Sequence, residues 1–438
     1  MTAANTLAIF LLASLAVHTS AADWAHWRGP FLNGSTSETN LPSHWSKTDG
    51  VRWHVELPGP GAATPIISGD HVFVSSTDAD AQTILAFAFD RRDGHLLWQH
   101  KIDDGMGHHD NSNYASPSPV TDGKLVVFVY GNGDLAAFDF AGNELWRRNL
   151  QKDYGDFAYQ WTYGASPTLY NGKLYVQVLQ RNVPVHGRGR TDRPIDSFLL
   201  ALEPAMGKTL WQHVRPCEAV EESHEAYTTP IPFTCNHRAE ILIAGGDCVT
   251  GHDPETGAEL WRWGTWNPEK IGHWRLVPSP VTGDGIILAC APKGSPVYAI
   301  KAGGTGTLGD AGIAWTSEHE RNVSSDVPTP LFYLGDFFVL NEGRRGLSRV
   351  EPRTGKVKWN VPTPGTRRYE TSPTGADGKI YFMNFAGLVV VADTADGRIL
   401  STVQMGDEGD DMIRSTIAVA HGELFIRTNH KLYCVGNR

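Results

Sequence analysis

Arginine side chains stand just ahead of a recurring short motif in this 438-residue chain, a small residue followed in most cases by proline. Arg275, Arg368 and Arg414 each lie a few residues before such a motif. A guanidinium group presents a planar fork of N–H donors that binds carboxylate, sulfate or phosphate through two hydrogen bonds. Arginines that converge in the fold would therefore bind an anionic ligand.

The segments before the motifs also carry aromatic, histidine and acidic side chains. Tryptophan and tyrosine rings suit sugar rings or other flat ligands, and histidine and tyrosine can transfer protons. The predicted ligand-binding residues are Asn113, Trp161, His273, Arg275, Asp326, Arg368, Glu370 and Arg414. The candidate catalytic bases are His109 and His224, and the candidate acids are Tyr163 and Tyr227. The alternative for each residue is a solvated loop in which charges pair locally, such as Arg368 with Glu370.

The motifs divide the chain into similar units. Their prolines are Pro65, Pro119, Pro167, Pro230, Pro280, Pro330 and Pro373, and Thr416 takes the eighth position. The mean spacing is about 50 residues, which is close to the length of a four-stranded propeller blade. Each unit contains short runs rich in Val, Ile, Leu, Tyr and Phe that are separated by Gly, Asp and Asn turns, which is the pattern of β-hairpins.

These units predict an all-β fold, an eight-bladed β-propeller of four-stranded antiparallel blades. The last unit lacks a fourth strand, and residues 51–57 supply one, so that the N-terminal strand around Trp53 closes the ring. A tryptophan recurs at one position of the unit, and we interpret it as a packing residue between blades. In such a ring the segments before the motifs lie on one face, around the central channel, where loops commonly carry function.

The N-terminal segment predicts the cellular location of the protein. Residues 1–22 have the character of a secretory signal peptide, and their apolar run, 7–17, is shorter than the roughly 20 residues that span a bilayer. We expect residues 23–50 to wrap the propeller and residues 51–438 to form it. The mature protein is expected to be exported, soluble in the periplasm or cell envelope, without a transmembrane segment, and monomeric.

Charge and cysteine content exclude several classes of function. There are 48 acidic and 38 basic residues, and the net charge of −10 opposes binding to nucleic acid. The odd number of cysteines leaves at least one thiol free, and no C-x-x-C motif or other metal-site pattern is present. The five are Cys217, Cys235, Cys248, Cys290 and Cys434, of which Cys235 and Cys248 could pair. The stretch 304–309 matches G-x-G-x-x-G, but its place inside a blade unit favours a strand connection over a dinucleotide site.

The repeat, S-P-x-x-x-D-G-K-L-Y-V followed by L-x-A-x-D-x-x-T-G-x-x-L-W, resembles the PQQ-like (pyrroloquinoline-quinone-type) β-propeller repeat. The opening Asp23-Trp24-Ala25-His26-Trp27-Arg28-Gly29-Pro30 is similar to that of exported PQQ-like propellers of planctomycete-type bacteria. This resemblance covers the mature chain and implies kinship with BamB, a lipoprotein of outer-membrane β-barrel assembly, and with the quinoprotein alcohol dehydrogenase superfold. It is specific for fold and says little about function.

Quinoprotein dehydrogenases of this superfold use PQQ with calcium, adjacent disulfide-bonded cysteines and a carboxylate set. This chain has no Cys-Cys pair, so we predict no cofactor and no metal. The first hypothesis is a binding or scaffolding module in the cell envelope, which holds an anionic or carbohydrate-like small ligand or a segment of an envelope protein. The alternative is a carbohydrate-active enzyme of the acidic-sugar lyase type on the same face. A PQQ-dependent dehydrogenase is the third and least favoured hypothesis.

Overall fold

The computed structural model describes residues 22–107, 112–264 and 266–437. In these ranges the chain forms eight antiparallel sheets of four strands, and one of them gains a fifth strand in parallel. Most consecutive strands of a sheet are joined by tight turns, and in most of these turns glycine, asparagine or aspartate takes the left-handed conformation. The eight-bladed propeller predicted from the repeat is confirmed.

The first half of the ring contains four blades in chain order. Strand β1 comes before them and belongs to the last blade. The strands are β1 (Val51–Glu56); β2 (Ile66–Ser68), β3 (His71–Asp78), β4 (Thr83–Asp90) and β5 (Leu96–Asp104); β6 (Val120–Thr121), β7 (Leu125–Val129), β8 (Asp134–Asp139) and β9 (Glu144–Asn149); β10 (Thr168–Tyr170), β11 (Lys173–Val178), β12 (Phe198–Leu202) and β13 (Thr209–Val214); β14 (Ile231–Cys235), β15 (Arg238–Gly245), β16 (Cys248–His252) and β17 (Glu259–Trp263). A short helix, α1 (Leu150–Tyr154), and a 3₁₀ turn, Glu221–His224, lie between blades.

The second half completes the ring. Its strands are β18 (Val281–Gly283), β19 (Ile286–Cys290), β20 (Val297–Lys301), β21 (Gly306–Thr307) and β22 (Ile313–Thr316); β23 (Leu331–Tyr333), β24 (Asp336–Asn341), β25 (Gly346–Val350) and β26 (Val357–Pro362); β27 (Thr374–Ala376), β28 (Lys379–Met383), β29 (Leu388–Asp393) and β30 (Ile399–Gln404); β31 (Ala418–Ala420), β32 (Glu423–Arg427) and β33 (Lys431–Gly436). A 3₁₀ turn, Asp310–Gly312, precedes β22. β1 pairs antiparallel with β33, so a strand from the N-terminal part of the chain completes the blade formed by the last three strands, as predicted.

The recurring tryptophans pack each blade onto the next. The indole N–H of Trp53 donates to the carbonyl of Arg91 in the first blade, at 2.7 Å, and that of Trp98 donates to the carbonyl of Phe140, at 3.1 Å. Six of the seven rings cover a glycine in a turn of the neighbouring blade: a Cβ added at Gly94 would lie 2.7 Å from the ring of Trp53. Trp146, Trp211, Trp315 and Trp359 repeat the indole-to-carbonyl bond, whereas Trp261 donates to Glu240 of its own blade. The predicted packing role between blades is confirmed for six of the seven tryptophans.

A second inter-blade contact surrounds the axis, where each motif contributes a serine or threonine. We call this ring of hydroxyl residues the hydroxyl belt: Thr64, Ser118, Ser166, Thr229, Ser279, Thr329, Ser372 and Thr416. At six steps the backbone N–H of one belt residue donates to the hydroxyl oxygen of a belt residue in the next blade, at 2.9–3.3 Å. The last of these bonds shows that Thr416 occupies the small-residue position of the eighth motif and that Ile417 occupies the proline position. The repeat pattern predicts Thr416 at the proline position, so this motif lies one residue later than predicted.

Residues 23–50 cross the end of the channel at which the innermost strands finish. Trp24 pairs with Ile67, the carbonyl of Ala25 accepts from Thr121, and the carbonyl of Asn33 accepts from Phe332. These partners lie two residues beyond the motif prolines and belong to blades on different sides of the ring. The segment therefore spans the channel end and blocks it with its own side chains.

Two other features of the sequence are resolved by the fold. The glycine-rich stretch 304–309 contains β21, which pairs in parallel with β17 on the outer edge of the preceding blade. It is a strand connection, as predicted. All five cysteines are free thiols, so Cys235 and Cys248 do not pair. No helix within the described ranges is long and apolar enough to cross a membrane.

Ring closure through Trp53 gives a stability prediction. Trp53 is buried against Phe425, and its replacement by alanine removes both this packing and the bond to Arg91. We expect Trp53→Ala to lower the free energy of unfolding by about 3–5 kcal/mol, measured by urea denaturation. Leu145→Ala, at an exposed position of another outer strand, should change it by less than about 0.5 kcal/mol. Equal effects of the two substitutions would contradict the closure role of Trp53.

Candidate functional site

The central channel opens into a cavity of about 450 Å³ on the face that carries the segments before the motifs. We call it the mouth cavity. Its charged lining residues are Arg275, Lys293, Asp326, Arg368, Glu370 and Arg414. Six belt residues line it as well: Ser118, Ser166, Thr229, Thr329, Ser372 and Thr416. Trp27, from the segment that blocks the far end of the channel, also lines it. The cavity is therefore a blind pocket on the propeller axis.

One wall is built by an arginine–carboxylate pair. Arg275 binds Asp326 through both guanidinium nitrogens, at 3.0 and 3.2 Å, and the backbone N–H of Lys293 donates to the same carboxylate, at 2.8 Å. Burial opposes ionisation of Asp326, but the hydrogen bonds and charge of Arg275 outweigh it and hold the pKa of Asp326 below its usual value. The ion pair fixes the direction of the Arg275 fork.

The neighbouring wall carries two arginines on one carboxylate. Arg414 donates from Nε to Glu370, at 2.8 Å, and a guanidinium nitrogen of Arg368 lies 3.3 Å from the other oxygen of Glu370. The guanidinium of Arg414 also lies over the ring of Phe385, 4.9 Å from its centroid. Arg368 is 58% exposed, whereas Arg414 is 18% exposed. Local pairing of Arg368 with Glu370 therefore occurs, and it leaves most of the Arg368 side chain open to the cavity.

The charges of the lining residues do not balance. Among the described lining residues, three arginines and Lys293 face two carboxylates, an excess of two positive charges in a protein of net charge −10. Burial is the main cause that lowers the pKa of Lys293; the charges of Arg275 and Arg368 lower it further, and those of Asp326 and Glu222 oppose the shift. The excess is suited to an anionic ligand.

Aromatic side chains form the third wall. Trp161 lines the cavity, and its indole N–H donates to Glu222, at 3.0 Å, which sets the plane of the ring. Tyr227 also lines it, and its hydroxyl donates to the buried carboxylate of Glu225, at 2.7 Å. Burial, then the charge of Glu225, raises the pKa of Tyr227 well above its usual value. Arg181 is paired with Glu225 from the other side, at 2.5 Å.

Asn113 lies beside the mouth cavity. It lines an adjoining cavity of about 510 Å³ that shares Ser112, Ser116 and Arg414 with the first. Its side-chain amide donates to the carbonyl of Pro60, at 3.3 Å, and accepts from a backbone N–H two residues later. Arg414 therefore stands between two connected spaces.

Three predicted residues are not brought into the mouth cavity. Tyr163 is buried in the core, and its hydroxyl donates to the carbonyl of Gln177, at 3.0 Å. His224 is buried against Cys217, with Nδ1 3.2 Å from the sulfur, and burial lowers its pKa. His273 is exposed outside the lining. These placements do not support the assignment of Tyr163 as an acid, of His224 as a base or of His273 as a ligand-binding residue. His109 lies outside the described residues.

Sequence reasoning missed part of the lining. Lys293 lies in the loop between the second and third strands of its blade, outside the segments before the motifs from which the site residues were predicted. Trp27 was assigned to a wrapping segment, and no sequence signal indicated that its ring reaches the axis. The belt hydroxyls were identified only as small residues, because the sequence does not show which side chains face the channel.

A buried acid lies behind the Arg275 wall. Glu342 accepts a hydrogen bond from the backbone N–H of Asp326, at 3.1 Å, and its second carboxylate oxygen has no partner among the described residues. Burial, followed by the charges of Asp326 and Glu370, raises the pKa of Glu342 to about 7. Protonation of Glu342 near neutral pH therefore removes a negative charge close to the site.

The donor set does not fit a calcium ion. Calcium takes six to eight oxygen ligands, and carboxylates supply the strongest of them. Among the described lining residues the carboxylates are those of Asp326 and Glu370, and each is already bonded to arginine. The surrounding cations would repel a metal ion, so no chemistry through calcium or a calcium-bound quinone follows from this site.

The raised pKa of Glu342 predicts a pH-dependent stability. A carboxyl whose pKa is raised on folding, here from 4.5 to about 7, stabilises the fold fully below the lower value and loses this contribution as pH rises to the higher one. The loss is at most about 3 kcal/mol. We expect Glu342→Gln to leave stability at pH 5 nearly unchanged and to raise it at pH 8, measured by urea denaturation. Exposed Glu318→Gln should show no such pH-dependent gain, and a similar gain there would contradict the assignment.

Solved structures with the same fold have diverse functions. BamB from Moraxella catarrhalis is 15% identical, the match covers 87% of this chain and 98% of that chain, and the TM-score is 0.61. Quinohemoprotein alcohol dehydrogenase from Comamonas testosteroni is 13% identical, with 95% and 81% covered and a TM-score of 0.63. A europium-containing methanol dehydrogenase is 10% identical, with 93% and 90% covered and a TM-score of 0.66. At these identities the likeness shows the fold alone.

Among curated protein sequences no significant match was found. The family model described as outer membrane protein assembly factor BamB matches residues 35–193, 86–317 and 195–437. These matches overlap, as expected where a model of repeated blades aligns in more than one register, and together they span almost the whole propeller. The resemblance inferred from the repeat is confirmed, and the chain belongs to the BamB-like family of PQQ-type β-propellers.

Proposed function

We propose that this chain is an exported binding module of the cell envelope whose mouth cavity takes an anionic small ligand. The observation that carries the proposal is the excess of cations among the lining residues that the structure describes, where three arginines and Lys293 face two carboxylates. A carboxylate or sulfate of the ligand would accept hydrogen bonds from the exposed guanidinium of Arg368, beside the positive charges of Arg275 and Arg414.

The cavity has the size and composition of a small-molecule site. Pockets of about 300–1,000 Å³ with a few convergent polar groups are typical of such sites. The ring of Trp161 offers a flat face beside the arginines, and the Ser and Thr side chains offer hydrogen bonds to hydroxyl groups. A sugar acid combines the carboxylate, the hydroxyl groups and the apolar ring face that these three elements would recognise.

The lyase alternative has weaker support. It needs a general base within hydrogen-bond reach of the bound acid. Tyr227 is the one predicted proton-transfer residue that the described lining contains, and its hydroxyl is engaged by Glu225. We therefore favour binding over catalysis.

Arg368 offers the sharpest test, because it is largely exposed and its loss leaves Glu370 paired with Arg414. D-galacturonate should bind the mature protein, and D-galactose, its neutral counterpart, should bind much more weakly. We expect Arg368→Ala to weaken galacturonate binding about tenfold, measured by isothermal titration calorimetry, since a hydrogen bond to a charged group contributes about 1.5–3 kcal/mol when made in full.

Arg367→Ala is the matched control. Arg367 is 54% exposed, pairs with Asp411 at 3.1 Å and does not line the mouth cavity, so its loss removes the same charge beside the site. Equal weakening by both substitutions would indicate a general effect of charge and contradict the site. Absence of galacturonate binding, or binding of PQQ that requires calcium, would contradict the proposed function.

A further inference from the structure

The hydroxyl belt has hydrogen-bonding capacity that the fold does not use. A serine or threonine hydroxyl carries one proton and two acceptor positions. The hydroxyls of Ser118, Ser166, Thr329 and Ser372 each accept from the backbone N–H of the preceding blade. Among the described residues none of these four donates its proton to another group, and all four line the mouth cavity. Their protons are therefore available to a ligand on the axis.

A buried cation lies beneath the belt. Arg28 is 1% exposed and donates to the carbonyls of Pro330 and Pro373, at 2.9 and 3.2 Å, which directly follow belt residues Thr329 and Ser372. Within the described ranges it forms no ion pair, and its Nε has no hydrogen-bond partner. A buried charge is normally paired with an opposite one.

Arg28 also acts on the base of the cavity. Its guanidinium lies 5.7 Å from the ring centroid of Trp27, the residue that lines the blind end. Burial lowers the pKa of Arg28 to about 9, so the side chain is still charged at neutral pH. No described acidic side chain pairs with Arg28, so its positive charge raises the electrostatic potential near the hydroxyls of Thr329 and Ser372.

We propose that the belt hydroxyls that line the mouth cavity form a second anion subsite and that the natural ligand carries two anionic groups in line with the channel. One group binds the arginines at the mouth, and the other accepts from the belt hydroxyls above Trp27. This inference rests on the proposed function, because the first group uses the same arginines. It narrows the ligand class to small dianions, such as a dicarboxylate or a sugar acid with a second acidic substituent.

The spacing of the two subsites limits the length of the ligand. Arg368 precedes its belt residue, Ser372, by four positions. Four residues of extended chain span at most about 14 Å. Dicarboxylates of four to eight carbons (succinate, glutarate, adipate and suberate) cover the useful range of separations, and hexanoate is the matched monocarboxylate.

The test compares these probes by isothermal titration calorimetry at constant ionic strength. We expect at least one dicarboxylate to bind tenfold or more tightly than hexanoate, and we expect Ser372→Ala and Thr329→Val to abolish this gain. The matched controls are Ser279→Ala and Thr64→Val, belt residues that accept the same inter-blade bond but do not line the cavity. They lose a similar contact in the fold and should keep the gain.

The outcomes separate this inference from the proposed function. If hexanoate binds and Arg368→Ala weakens it, but the dicarboxylates bind no better, the second subsite is wrong and the proposed function stands. Retention of the gain in Ser372→Ala and Thr329→Val, or its loss in Ser279→Ala and Thr64→Val, would also overturn the subsite. Absence of binding by every probe would overturn the proposed function together with the inference.

Discussion

The hydrogen bond from a backbone amide to a serine or threonine hydroxyl of the next blade holds the axis of this propeller together. A buried N–H group without a partner costs about 1–3 kcal/mol, so each motif needs an acceptor at this position. The proline that follows in seven blades has no N–H, and at the start of an innermost strand it leaves no further donor to satisfy. The small-residue–proline motif is thus explained by hydrogen-bond requirements at the point where the blades come closest.

This arrangement also determines where a ligand could bind. Small side chains at the axis leave a channel, and the N-terminal segment closes one end of it with Trp27. Among the described residues, the four belt hydroxyls that both accept an inter-blade bond and line the mouth cavity donate their own protons to no other group, so these contacts between blades also present donors to the channel. Fold stability and the proposed recognition of anions then depend on the same side chains.

Charge is distributed unevenly over the molecule. The chain is acidic as a whole, yet cations predominate at the mouth of the channel. Asp326 and Glu370 hold the arginines in defined orientations, which reduces the side-chain entropy that binding would cost. These ion pairs also reduce the positive electrostatic potential in the cavity. Lys293 and Arg28 form no ion pair among the described residues, and their charges add to the positive potential that is left. An acidic surface around a cationic pocket disfavours binding of large polyanions such as nucleic acid, while a small anion can enter.

The sequence by itself determined the all-β propeller, its eight blades, the closure by Trp53 and the packing role of the repeated tryptophans, because each follows from a pattern that recurs with a fixed period. It also located Arg275, Asp326, Arg368, Glu370 and Arg414 on one face, since their position before the motif defines which end of a blade they occupy. It could not tell that Tyr163 and His224 point into the interior, because neighbouring side chains of an extended segment face opposite sides and contacts from other blades decide which is covered. Only the tertiary structure brings Arg28 and the ring of Trp27 to the belt hydroxyls on the axis. Residues hundreds of positions apart become neighbours when the ring closes, and Arg28 has no ion-pair partner among the described residues.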